Sequence, residues 1–86
     1  MDDLRDLAPV VNRIKRAQGQ LAGVLRMIEE GRDLEDVLNQ LKAVTKALDR
    51  AGFAMVSQDL RRQVTCGKPI TEADLDAYER HVLSLS

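Results

Sequence analysis

The chain has 86 residues and a net charge of −1, which is the size of one domain, residues 1–86, and gives no global pull toward nucleic acid or an anionic membrane. Hydrophobic residues are 44% of it and aromatics only 2%, so its core must be aliphatic, which suits helix seams better than sheets. One cysteine, Cys66, excludes an intrachain disulfide framework; no run approaches a membrane span and the N-terminus is acidic, so neither signal peptide nor membrane segment is expected, and a cytoplasmic protein is.

Residues 1–8 read as a short lead-in. Pro9 is tolerated in a first helical turn, where its missing N–H is no loss. Val11, Ile14, Ala17 or Gln18, Leu21, Leu25 and Ile28 then step by three and four, which predicts an amphipathic helix from about Asp6 to Glu30. Gly31 stops it, because glycine takes the left-handed cap position at least cost. Gly19 and Gly23 lie inside this helix and share one side, the pattern of close approach by another helix. Ala43, Ala47, Ala51 and Ala54 offer the matching small-residue row.

Asp33 is the expected cap of a second helix, with Glu35 and Asp36 favourably placed in its first turn. The connection is short, so the first two helices should be antiparallel neighbours. Leu34, Val37, Leu38, Leu41, Val44 and Leu48 keep helical spacing, and Met55, Val56, Leu60 and Val64 continue it to Cys66. Gly52 is the weak point, and a continuous helix is expected across it. Such a helix spans roughly 50 Å, whereas a folded monomer of this length is about 25 Å across. One chain cannot wrap it, so self-association is expected. Gly67-Lys68-Pro69 ends the second helix, and Thr71 opens a third with acids in its first turn, running to about Leu83. Leu75, Tyr78, Val82 and Leu85 share a side of this short helix, which must pack on the first two to be stable. The fold class is therefore all-α: a three-helix protomer with a long central helix, assembling into a helical bundle.

The charge is unevenly spread. Between Val11 and Arg26 stand Arg13, Lys15, Arg16 and Arg26, and no acid. Arg13, Arg16 and Gln20 share one face by their spacing, and Lys42, Lys46 and Arg50 form a row on the second helix. Two such rows on antiparallel helices can merge into a patch that meets phosphates; the plainer reading is a solvated helix face. The acidic third helix, with Glu72, Asp74, Asp76 and Glu79, restores overall neutrality.

The runs NRIKRAQGQLAG (12–23), RMIEEGR (26–32), DVLNQLKAV (36–44) and ALDRAG (47–52) resemble the CsoR/RcnR/FrmR family of small bacterial repressors that sense copper, nickel or cobalt, formaldehyde or reactive sulfur. The likeness spans about residues 8 to 85. It implies a protomer that dimerises through its long second helix, with dimers pairing into a tetramer. It also implies that Arg13, Lys15, Arg16, Gln20, Lys42, Lys46 and Arg50 meet operator DNA without a helix-turn-helix.

The sensing residues depart from that pattern. The copper-type members carry a cysteine where this chain has Leu34, then histidine and cysteine where it has Asp59 and Gln63. Soft copper(I) needs thiolate or imidazole, so no copper(I) site and no other cofactor is expected. Cys66, one turn beyond Gln63, is a candidate displaced thiol sensor, although a lone cysteine at a helix end is more often inert. His81 on the third helix is read as solvated or structural rather than as a ligand. The functional expectation is a DNA-binding repressor with an altered or lost metal response. The alternative is a helical scaffold or modulator that pairs with a related repressor and does not bind DNA itself. No nucleophile–base pair, ligand cluster or phosphate loop supports an enzyme.

Overall fold

The structure is a computed structural model and describes residues 7–85. It contains three helices, α1 (Ala8–Glu29), α2 (Leu34–Thr65) and α3 (Glu72–Ser84), and no strand among the described residues. Pro9 stands in the first turn of α1, as its missing N–H allows. The expected start at Asp6, and residues 1–6 of the lead-in, lie outside the described residues.

Gly31 has φ 71°, and the turn after α1 closes with two backbone bonds. The Gly31 N–H donates to the Ile28 carbonyl at 3.1 Å and the Arg32 N–H to the Met27 carbonyl at 3.0 Å, the paired pattern of a Schellman cap. Asp33 occupies the cap position of α2, but its side chain makes no capping hydrogen bond, contrary to the sequence expectation. Its contribution is the backbone carbonyl, which accepts the Val37 N–H at 3.1 Å. Arg32 instead bridges the turn to Asp36 at 3.7 Å. At α3 the expectation holds fully. Thr71 accepts the Asp74 N–H, and the Asp74 carboxylate accepts the Thr71 N–H, both at 3.1 Å, a reciprocal capping box.

α1 lies against α2, and the buried seam is narrow. Val10, Ala17 and Val24 are the buried residues of α1, and Val44 and Ala51 those of α2, each set stepping by seven. The apolar row read from the sequence is wider than this seam. Val11, Ile14, Leu21, Leu25 and Ile28 remain between 38% and 58% exposed, because among the described helices α1 packs on α2 alone, and α2 covers one stripe.

α2 runs unbroken through Gly52, and packing leaves no room for a side chain there. Leu85 rests on this glycine, with its methyl carbons 2.9 and 3.1 Å from where a Cβ would stand. Gly19 and Gly23 do not behave as expected. Nothing lies within 4 Å of a Cβ at Gly19, and only the Arg26 guanidinium nears one at Gly23. Their small size serves no contact between helices of one protomer. Of the alanine row opposite, Ala51 is buried, Ala47 and Ala54 are half-buried and Ala43 is exposed.

α3 packs on α2 alone, not on both helices. α2 has 32 residues and α1 only 22, so the C-terminal end of α2 projects beyond α1, and α3 folds back onto that overhang. The result is a plate with extents of 54 × 26 × 11 Å. Its thickness is about that of one helix, so burial is confined to the narrow seams between helices.

Candidate nucleic-acid interface

The α1–α2 plate has two unlike faces. On one, Arg13, Arg16 and Gln20 of α1 and Ala47 and Arg50 of α2 line a shallow concavity of about 180 Å³. On the other side of the buried seam, Ile14, Gln18, Leu21 and Leu48 line an apolar groove of about 270 Å³. The helix period produces this division. At about 100° per residue, Arg13, Arg16 and Gln20 fall to one side of buried Ala17, and Ile14, Gln18 and Leu21 to the other.

Three guanidinium groups and one carboxamide thus converge on a floor made by Ala47, where a larger side chain would fill the space. No acid lines the concavity. Among the described residues the ion pairs join Arg32 to Asp36 and Arg62 to Asp59, so Arg13, Arg16 and Arg50 have no acidic partner there. Arg13, Arg16 and Arg50 are exposed. An array of exposed arginines on one face is a kind of surface that can meet phosphates.

The remaining basic residues stand at the edges. Lys46 and Lys42 are exposed, but each four-residue step rotates them about 40° further from Arg50, toward the outer edge of α2. Lys15 lies about 160° around α1 from buried Ala17, at the opposite outer edge. The predicted basic patch is therefore a compact arginine centre with flanking lysines.

The positions read as sensor positions are also placed. Leu34 is the first residue of α2 and is 73% exposed. Asp59 lies 25 residues along the same helix, roughly 37 Å away, so the two cannot share a site within one protomer. Asp59 is half-buried and already engaged. Its Oδ1 accepts from Arg62 at 3.0 Å and its Oδ2 accepts the Tyr78 hydroxyl at 2.8 Å. Tyr78 is held above its ordinary pKa, first by desolvation and then by its hydrogen bond to, and the charge of, Asp59. Gln63 is half-buried one turn on, and Cys66 is exposed at the C-cap of α2. His81 lines a cavity with Asp59 and Tyr78. Among the described residues no three of His, Cys, Asp and Glu come together as a metal site. Leu34, Asp59 and Gln63 do not fit copper(I): one has no lone pair and the others offer hard oxygen.

The Asp59–Tyr78 bond is the feature that the sequence did not reveal. Asp59 and Arg62 stand three apart on one helix, a spacing that signals a pair. Tyr78 is 19 residues away in the chain, and only the docking of α3 brings it to Asp59.

The profile of the metal-sensitive transcriptional repressor family matches residues 6–84. The copper-sensing transcriptional repressor RicR of Mycobacterium tuberculosis is 42% identical over 53 residues, which are 62% of this chain and 55% of that protein. The copper-sensing transcriptional repressor CsoR of Mycobacterium ulcerans is 42% identical over 50 residues, 58% of this chain and 43% of that protein. CsoR of Mycobacterium tuberculosis is 38% identical over 50 residues, 58% of this chain and 42% of that protein. The matched region spans about half the length of the curated relatives. No solved structure matches the chain. No helix among the described residues is long and apolar enough to cross a membrane.

Proposed function

The chain belongs to the metal-sensitive transcriptional repressor family, and from that premise we propose that it is a DNA-binding repressor whose copper response is altered or lost. The observation that carries the DNA reading is the acid-free convergence of Arg13, Arg16, Gln20 and Arg50 in one concavity. Phosphates are its natural occupants, with Lys42, Lys46 and Lys15 extending the positive field at the edges. Residues 1–86 act as one DNA-binding unit, in a cytoplasmic protein. Members of this family act by binding, not by turning over a substrate.

The apolar face of the plate supports self-association. Ile14, Leu21, Leu38, Leu41 and Leu48 are each between 41% and 47% exposed. A second copy covering that face leaves the arginine face free for operator DNA. Loss of the copper response follows from donor chemistry at Leu34, Asp59 and Gln63. The Asp59 oxygens, moreover, already accept from Tyr78 and Arg62.

One experiment tests both halves. Binding to the DNA upstream of its own gene is measured across a salt series, with and without copper(I). The expected result is salt-sensitive binding that copper(I) does not release. Arg13→Glu or Arg50→Glu should abolish binding with helicity intact, and neutralising one contact should reduce the salt slope by about one unit. Normal binding by both reversed variants would remove the arginine face from the interface. Absence of any binding by the intact protein would favour the modulator that pairs with a related repressor. One tightly held copper per protomer, lost on Cys66→Ala, would mean that the sensor has moved to Cys66.

A further inference from the structure

The concavity on the basic face is small, about 180 Å³. Arg13, Arg16 and Gln20 stand on successive turns of α1 and form one wall, and Arg50 of α2 forms the other. Ala47, about one turn before Arg50, is half-buried and makes the floor. Of the lining residues it alone has no polar end. The recess exists because this side chain stops at Cβ; a leucine there would project between the two walls. Ala43, one turn earlier on α2, is exposed and lies outside the recess. The donor set limits what can enter. A guanidinium offers five N–H donors in a rigid fork and no acceptor, Gln20 adds a neutral amide donor, and no carboxylate lines the recess. A recess takes a projecting group. On a duplex the projecting acceptors are the phosphates, whereas the base edges lie inside the grooves.

We propose that this recess is a seat for a single phosphate group, and that Ala47 is the positioning residue that keeps the seat open. Ala47 supplies neither charge nor hydrogen bond. Its part is to let the phosphate sit low between the walls, where donors from α1 and α2 reach its tetrahedral oxygens from both sides. The inference rests on the DNA reading for the source of the phosphate, a backbone phosphodiester, and on the recess alone for the seat.

The test fills the seat without touching a charge. Ala47→Leu keeps a good helix former in α2, Ala47→Ser leaves the recess open, and Ala43→Leu is the matched control outside it. Two ligands are titrated into the full chain: the duplex upstream of its own gene across a salt series, and inorganic phosphate alone, followed by NMR of the arginine and Gln20 side-chain N–H groups. Ala47→Leu should weaken duplex binding at least about ten-fold, the scale of one lost charge-assisted hydrogen bond. It should also flatten the salt slope by about one unit for each seat that meets the duplex, although no charge has been removed. Ala47→Ser and Ala43→Leu should bind as the wild type does. Inorganic phosphate should shift the Arg13, Arg16, Gln20 and Arg50 signals of the wild type saturably, and not those of Ala47→Leu. A folded Ala47→Leu with wild-type affinity and slope would overturn the seat and leave the DNA reading standing. Saturable phosphate shifts in a wild type that binds no duplex would support the seat, overturn the DNA reading and make a free phosphate compound the occupant. Shifts that do not saturate, or that persist in Ala47→Leu, would overturn the seat. If the leucine variant does not fold, the phosphate titration of the wild type decides.

Discussion

Asp59 shows how much one side chain can change a site. The resemblance places a histidine ligand there; this chain places a carboxylate tied to Arg62 and Tyr78. The bond to Tyr78 links α2 to α3 and has a readable signature, because Tyr78 is the chain's one tyrosine and there is no tryptophan. Its pKa is raised in the fold, so the neutral hydroxyl is the form that folding favours. That contribution is complete below the unfolded value of about 10 and is lost as pH rises through the higher folded value. The tie should therefore be constant across neutral pH and loosen only in strong alkali. Tyrosinate absorbance should show a midpoint above that of the denatured chain, and Asp59→Asn should lower it. Identical midpoints in native and denatured protein would mean that the bond does not form in solution.

The helices divide their glycines into kinds that sequence alone does not separate. Gly31 is held at φ 71°, where an L side chain is strained by roughly 1–2 kcal/mol. Gly31→Ala should lower stability by about 1 kcal/mol in urea denaturation. Gly19 sits in an exposed stretch of α1 with open space around it, so Gly19→Ala should raise stability by up to about 1 kcal/mol through helix propensity. A loss at Gly19 would point to close packing by a second copy. The spacing of Gly19 and Gly23 would then have signalled contact between copies rather than within one.

The whole molecule is a plate one helix thick, 54 Å long and 11 Å deep, and its α1–α2 part is basic on one face and apolar on the other. An aliphatic face this extensive on so thin a body is the basis for predicting that a second copy covers it. At micromolar concentration the protein should sediment as a dimer or a larger closed assembly. Leu21→Glu together with Leu48→Glu should shift it toward monomer and weaken DNA binding indirectly, with Arg13 and Arg50 untouched. A wild-type chain that sediments as a stable monomer would refute the assembly and leave the apolar face unexplained.

Helix number, the helix ends from Gly31 onward and the shared face of Arg13, Arg16 and Gln20 were legible in the sequence because each depends on neighbours within a turn or two. The three-and-four stepping, the Thr71–Asp74 box and the glycine after α1 are local physics, and Arg13, Arg16 and Gln20 share a face on any regular helix. The side chain of Asp33 is the exception, since it makes no capping hydrogen bond although the residue stands at the cap position. Local pattern does not decide how one helix rotates and slides on another. The apolar row of α1 was visible, yet the stripe that meets α2 is Val10, Ala17 and Val24, beside that row. The docking of α3 on α2 alone, the placing of Leu85 on Gly52 and the meeting of Tyr78 with Asp59 all follow from the ten-residue difference in length between α2 and α1. That difference is plain in the sequence, but its consequence exists only once the helices lie side by side and the longer one is left with an end to cover.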